Sequence, residues 1–382
     1  MVKKVFLFAL SATLMLAGCS KTEVASVKDG SDVISFQTIV GKQKTKAILG
    51  NGVSYPTDET FGTFVYFNAS GTTFPTGAEV YIPESEVKYV AAVGSTPAYW
   101  STDTKYYWPK QGTLAFFSYS PYDELNAVTG CDVTDGVTIS NWDVDANQKT
   151  DVMVAEAVSG KSYNETYAGY QGVPTVFSHK LAQIVKITFK TDEAYSAHTE
   201  ANAVVGDKFF YVNSVKINNL DYKGTYVSGN KVSATNPGDW TVTNANNKRS
   251  YTWYSAGTGD GIAFGETAVE VAANKLTDNA QKYLLILPQS LPTASAAADT
   301  KNIEITYTIK TCNGKDTAGP TFTSETVHKT ISFYQIHGGT AAAVPSWDIN
   351  TRYSYTFTVG LDQIKWAPGV ADWDDDEYSF AI

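Results

Sequence analysis

NIEITYTIK, residues 302–310, alternates strictly: Ile303, Ile305, Tyr307 and Ile309 are apolar, while Glu304, Thr306, Thr308 and Lys310 are polar. A period of two marks a strand that turns one face to a core and the other to water. The same period recurs toward both ends of the chain. Val185, Ile187 and Phe189 alternate with Lys186, Thr188 and Lys190, and Tyr353, Tyr355, Phe357 and Val359 alternate with Ser354, Thr356, Thr358 and Gly360. Such stretches predict antiparallel strands with one wetted face. Leu114-Ala115-Phe116-Phe117 and Tyr283 to Leu287 are apolar without alternation, which suits central strands covered on both sides. Pro109, Pro121, Pro288 and Pro292 border these runs, where a missing N–H does little harm.

Helix-period stretches are nearly absent, so the chain reads as all-β, with two antiparallel β-sandwiches in series. Its 382 residues suit two domains of about 150–200 residues each. The seam is expected near residue 170, in the Tyr/Gly-rich stretch Tyr163 to Gly172, where turn formers gather and the alternation lapses. This gives a leader over 1–18, an amino-terminal sandwich over 19–170 and a carboxy-terminal sandwich over 171–382. Ser228 to Ser250 reads as a polar surface excursion of the second sandwich. Near the carboxyl end, Ile364 and Trp366 continue the apolar pattern, and Pro368-Gly369 is expected to turn the chain. Aromatic residues make up 13% of the total, with 24 Tyr and 8 Trp, a supply that serves either core filling or exposed binding platforms. Formal charge is −10, and more negative still without Lys3 and Lys4. An acidic chain with no basic run argues against nucleic acid and anionic lipid surfaces as partners.

Lys3 and Lys4 precede the apolar run Val5 to Leu16, which is too short for a membrane span of about 20 residues, and Ala17-Gly18 follows as at a signal-peptidase site. Leu16-Ala17-Gly18-Cys19 resembles the lipobox of bacterial lipoproteins, which implies a lipidated Cys19 at the start of the mature chain. An ordinary secretory signal with an incidental cysteine is the competing reading. Acyl chains would hold the protein on a membrane through buried methylenes, each worth about 0.8 kcal/mol. Cys131 and Cys312 lie far apart and read as two separate buried thiols, although an oxidising compartment leaves a bridge open.

Candidates for chemistry are sparse. His179, at a strand entrance in FSHKLAQIVKITF, reads as a hydrogen-bonded structural histidine. No nucleophile elbow, His-Glu-x-x-His or Cys-x-x-Cys pattern occurs. Asp143-Val-Asp145-Ala-Asn147 opens like an EF-hand loop, but Gln148 stands at the glycine position and Val154 where a bidentate Glu belongs. Asp374 to Glu377 reads as a solvated acidic turn. The chain is therefore not expected to be an enzyme, nor to hold a metal or cofactor.

Several segments, in order along the chain, are similar to the fimbrillin family, lipoprotein precursors of type V pilus subunits. They are Ser35-Phe36, Phe61-Gly62-Thr63-Phe64, Tyr107-Trp108-Pro109 leading into Leu114 to Pro121, and Asp151 to Ala155. Phe177 to Leu181, Leu285 to Gln289, and Trp347 with Arg352 to Phe357 complete the set. The resemblance implies two transthyretin-like sandwiches and assembly by strand exchange. A lipidated precursor reaches the outer membrane, a protease removes an amino-terminal strand, and the carboxy-terminal strand of another subunit fills the groove. Its partners would be other fimbrial subunits and, through lipid, the outer membrane, and its place a surface fimbrium that supports adhesion.

This chain has a segment for each role. Ile34, Phe36 and Thr38, alternating with Ser35, Gln37 and Ile39, form the candidate removable strand. GKQKTKAILGNG, residues 41–52, is basic, polar and flanked by glycine, as suits an exposed processing loop. Tyr378, Phe380 and Ile382, alternating with Ser379 and Ala381, form the candidate donor strand. Familiar members are matured at an arginine, yet the only arginines are Arg249 and Arg352. Thr45-Lys46-Ala47 stands in the corresponding place, so cleavage is expected between Lys46 and Ala47. The alternative to a polymerising subunit is a tethered surface lipoprotein or tip adhesin that binds a host glycan or protein.

Overall fold

The alternation at 302–310 becomes the register of a long hairpin. Asn302–Asp316 pairs antiparallel with Gly319–Ser332, from Asn302 opposite Ser332 to Asp316 opposite Gly319. Asp316 closes the turn by accepting from Ala318 N at 2.7 Å and Gly319 N at 3.1 Å. The protein is represented by a computed structural model. It describes residues 32–40, 54–71, 73–75, 77–123, 125, 128–163, 172–229, 237–243, 247–276, 282–293, 300–340 and 342–372.

The hairpin lies in a sheet with Lys208–Leu220 and Arg249–Ser255, and Ile262–Phe264 also pairs with Lys208–Leu220. A second sheet faces it, in the order Val269–Glu270, Ala182–Thr191, Thr351–Val359, Ile364–Asp372, with Leu284–Ile286 beside Ala182–Thr191. Ile303, Ile305, Tyr307 and Ile309 meet Ile187, Phe189, Tyr355 and Phe357 in one buried core. The sandwich reading holds here, with three local differences. Ala182–Thr191 runs parallel, not antiparallel, to Thr351–Val359, because a period of two is the same for both directions. A register shift between Ile184 and Lys186 leaves Val185 half-buried and places Ile184 and Ile187 in the core; a bulge residue reverses the phase of alternation. Pro368 and Gly369 do not turn the chain but pair with Tyr355 and Ser354 within the edge strand, where a proline is tolerated.

The amino-terminal half is organised around an eight-stranded sheet. Its order is Phe61–Asn68, Glu79–Val90, Tyr99–Thr102, Phe36–Val40, Val173–His179, Met153–Ala155, Thr113–Ser120, Val158–Lys161. Phe61–Asn68 also pairs with Thr113–Ser120, from Gly62 opposite Tyr119 to Asn68 opposite Thr113, so the sheet closes on itself. One aromatic-rich cluster has Phe36, Phe61, Trp100, Phe116 and Phe177 on the ring strands and Trp108 on the connection between two of them. A second cluster joins their other face to a four-stranded sheet of Val128–Asp132, Gly136–Asp143, Lys223–Val227 and Asp239–Val242. The run Leu114 to Phe117 is covered on both sides, as its composition requires: Leu114 and Phe116 belong to the first cluster, Ala115 and Phe117 to the second.

Ser228 to Ser250 is not simply a surface excursion. Asp239–Val242 is a strand of that four-stranded sheet, Ser228 is buried and its Oγ accepts from Val137 N at 2.8 Å. The two halves are thereby interlocked. Leu284 and Ile286 enter the carboxy-terminal core while Leu285 and Leu287 enter the amino-terminal one. The Gln148 amide acts as a substitute peptide on the free edge of that strand. Its Nε2 donates to Leu285 O at 2.8 Å and its Oε1 accepts from Leu285 N at 3.0 Å. Cys131 is half-buried, Cys312 is buried, and both are free thiols. The seam expected near residue 170 lies in 164–171, outside the described residues; Val173–His179 pairs with Phe36–Val40, and Lys180 then leads to the sheet that begins at Ala182.

Candidate assembly site

Residues 32–40 form one stave of the closed ring and are held on both flanks. On one side Val33 bridges Tyr107, Ile34 N donates to Tyr106 O at 2.9 Å, and Trp108 N donates to Asp32 O at 2.9 Å. Phe36 stands opposite Trp100 as the only ladder position shared with Tyr99–Thr102 among the described residues. On the other side Phe36–Val40 runs parallel to Val173–His179, with Phe36 opposite Val173 and Val40 opposite Phe177, and Val173 N donates to Ser35 O at 2.7 Å.

Two of the three predicted inward residues are deeply placed. Ile34 and Phe36 are buried, and the Phe36 ring meets Phe61 at 5.7 Å and Phe116 at 6.1 Å, both edge-on. Such aromatic pairs add about 0.5–1.5 kcal/mol to area burial. Thr38, opposite Thr175, is only half-buried. The stave is therefore anchored at its amino-terminal end and looser toward residue 40, where the segment holding Lys46 and Ala47 begins.

Three residues of the slot carry no signal in the sequence that singles them out. Tyr55 packs against Trp100 and Phe177, each at 5.2 Å, and its hydroxyl lies 2.7 Å from Ser120 Oγ; burial pushes its phenol well above the usual range. Trp100, on the neighbouring stave, meets Tyr55 edge-on and Phe61 at a tilt, with centroids 5.2 and 5.7 Å away. Gly172 has φ +68, and a Cβ there would meet Phe36 C at 2.7 Å and Gln37 N at 2.9 Å. Its turn-forming neighbourhood marks a bend but not the backbone contact that makes glycine necessary.

At the other end, Ile364–Asp372 is the edge strand of its sheet, paired along one side with Thr351–Val359. Tyr378, Phe380 and Ile382 follow it but lie outside the described residues, as do Cys19, Lys46 and Ala47. The chemistry candidates have structural partners. His179 Nδ1 bonds Asp151 Oδ2, Asp143 Oδ1 accepts from Ala146 N at 3.0 Å, and Asp145 Oδ2 pairs with Arg249 Nε at 2.8 Å. Among the described residues no three His, Cys, Asp or Glu side chains gather as a metal-holding group.

The fimbrillin-like family profile matches residues 45–373. Among solved structures, a fimbrial protein from Bacteroides vulgatus aligns with a TM-score of 0.52 at 15% identity, covering 90% of this chain and 99% of that one. A fimbrilin, FimA, from Porphyromonas gingivalis aligns at 0.36 and 13%, covering 90% and 98%. The tip fimbrial protein Mfa3 from the same organism, with a carboxy-terminal truncation, aligns at 0.35 and 11%, covering 82% and 94%. Among curated proteins none matches. At such identities the first of these likenesses is one of fold.

Proposed function

Since the chain belongs to the fimbrillin-like family, we propose that it is a fimbrial subunit exported as a Cys19-linked lipoprotein and polymerised by strand exchange. The observation that carries this reading is the position of Phe36–Val40 as a single stave in a closed ring. Removing any later stave of the ring takes a cut on each side of it; removing this one, the first in chain order, takes a single cut between residues 40 and 54.

Cleavage between Lys46 and Ala47 would release residues 32–40 together with the lipidated segment that begins at Cys19. Tyr99–Thr102 and Val173–His179 would then each present an unpaired edge, and the sites of Ile34 and Phe36 would open beside Phe61 and Phe116. An unpaired sheet edge is a template for another chain, and pockets for alternate side chains select its register. The tail of a second subunit carries Tyr378, Phe380 and Ile382 at the matching spacing of two. Burying three such side chains contributes about 1.5–3 kcal/mol each. Until processing, the lipid on Cys19 would keep the closed monomer at the outer membrane.

Mass spectrometry of subunits from assembled filaments is expected to give Ala47 as the amino terminus. A chain ending at residue 372 is expected to lose its ladder of multimers. Filament subunits that keep Cys19, or an undiminished ladder from the shortened chain, would overturn the proposal.

A further inference from the structure

A cleft of about 710 Å3 opens where the two halves meet, within the range of roughly 300–1,000 Å3 found for small-ligand sites. None of the residues that line it belongs to the stave at 32–40 or its neighbouring strands. Its floor includes Asp221 and Lys301, at 6% and 7% exposure. Asp221 Oδ2 is 3.0 Å from Lys301 Nζ, and Lys248 pairs with Oδ1. Gln289 fixes the backbone there, accepting from Asp221 N at 3.0 Å and donating to Asp221 O at 3.1 Å. Buried ion groups of this kind contribute little net stability; what they supply is a polar, rigid floor.

The lining also includes Asp239, Trp240, Ser290 and Asp348. The carboxylates and Ser290 are exposed, and the indole is half-buried. Trp240 cannot turn freely: its Nε1 donates to Lys180 O at 2.6 Å, and its ring packs on Tyr226 at 5.4 Å. The cleft thus offers a held aromatic side chain together with acceptors of hydroxyl hydrogen bonds. A pyranose has that complement, an apolar C–H face edged by hydroxyls. Charge narrows the class further. Asp221, Asp239 and Asp348 outnumber Lys301 along the lining, which opposes an anionic ligand. A wholly apolar ligand would take water from the Asp239 and Asp348 carboxylates, the latter bonded by Ser346 Oγ, without replacing it. We infer that this cleft is a binding site for a neutral saccharide, with Trp240 as the stacking surface and Asp239 and Asp348 as hydroxyl acceptors.

The test uses the full mature chain, unassembled, with maltotriose, mannotriose and N-acetyllactosamine as neutral probes and sialyllactose as the anionic comparison. The indole N–H resonance of Trp240 is identified by its loss in Trp240→Phe. At least one neutral probe is expected to move that resonance saturably. The paired substitutions Asp239→Ala and Asp348→Ala, both at exposed positions, are expected to weaken that binding at least about tenfold while a single cooperative melt is retained. The inference is overturned by no response to any neutral probe, by sialyllactose binding as tightly as the best of them, or by unchanged affinity in the double variant.

Discussion

His337 stands between the rings of Tyr353 at 5.4 Å and Tyr355 at 5.8 Å, with Phe333 and Trp347 completing the enclosure. Its Nε2 is 2.9 Å from Tyr355 Oη, which also accepts from Trp347 Nε1 at 2.8 Å. Burial pulls its pKa from 6.5 down to about 4, against the opposing charge of Asp348. The folded state therefore resists a proton that the unfolded chain takes up readily. Stability tied to this group is fully present above pH 6.5 and is lost as the pH falls toward 4. The melting temperature is expected to fall by several degrees across that window, and by distinctly less in His337→Phe; equal slopes in the two proteins would refute the assignment. Little around His337 in the sequence announces this, because only Phe333 of its neighbours is on its own helical turn, and Trp347, Tyr353 and Tyr355 come from later elements. His179 was more legible: a strand-entrance histidine reads as structural, and it pairs with Asp151.

Strands were the most legible elements, since alternation follows directly from the pleat. Ile303 to Ile309 and Tyr353 to Val359 face the core as their spacing predicts. Direction and interruptions were not legible. Period two does not distinguish the parallel pairing of Ala182–Thr191 with Thr351–Val359, and the bulge at Val185 is visible only against its partner strand. The stave at 36–40 illustrates the same limit: its apolar residues are evident, but its parallel neighbour at 173–177 is a tertiary fact. That neighbour depends on Gly172, whose left-handed φ and contact with the Phe36 backbone leave no room for a Cβ. Gly172→Ala is expected to cost roughly 2–4 kcal/mol from backbone strain and overpacking. Amide hydrogen exchange should accelerate most at residues 36–40. Uniform acceleration throughout the ring would show that the glycine does not act on this stave.

At the scale of the molecule, Leu284 to Leu287 is the decisive segment. It feeds alternate side chains into two cores, and Gln148 binds its backbone from the amino-terminal half. Tyr222 and Tyr226 belong to the amino-terminal core as well, although they follow its last ring strand in the sequence. A fragment of residues 19–221 lacks Tyr222, Tyr226, Leu285 and Leu287 and would expose the second cluster to water. It is expected to show no cooperative thermal transition, whereas the full chain does; a sharp melt from the fragment would show that the amino-terminal half is self-sufficient.

The sequence by itself determined that this protein is all-β, which faces of its strands are apolar, and which family it belongs to. Each of these is written in local order, as alternation, strand-bordering prolines and a succession of aromatic segments. Tertiary structure alone decided that the first sheet closes into a ring, that residues 32–40 form one of its staves, and that the later residues Tyr222, Tyr226, Trp240, Leu285 and Leu287 complete the earlier core. Those facts depend on which distant strand supplies each missing hydrogen-bonding edge, and a backbone edge is chemically the same in every strand until the fold pairs it.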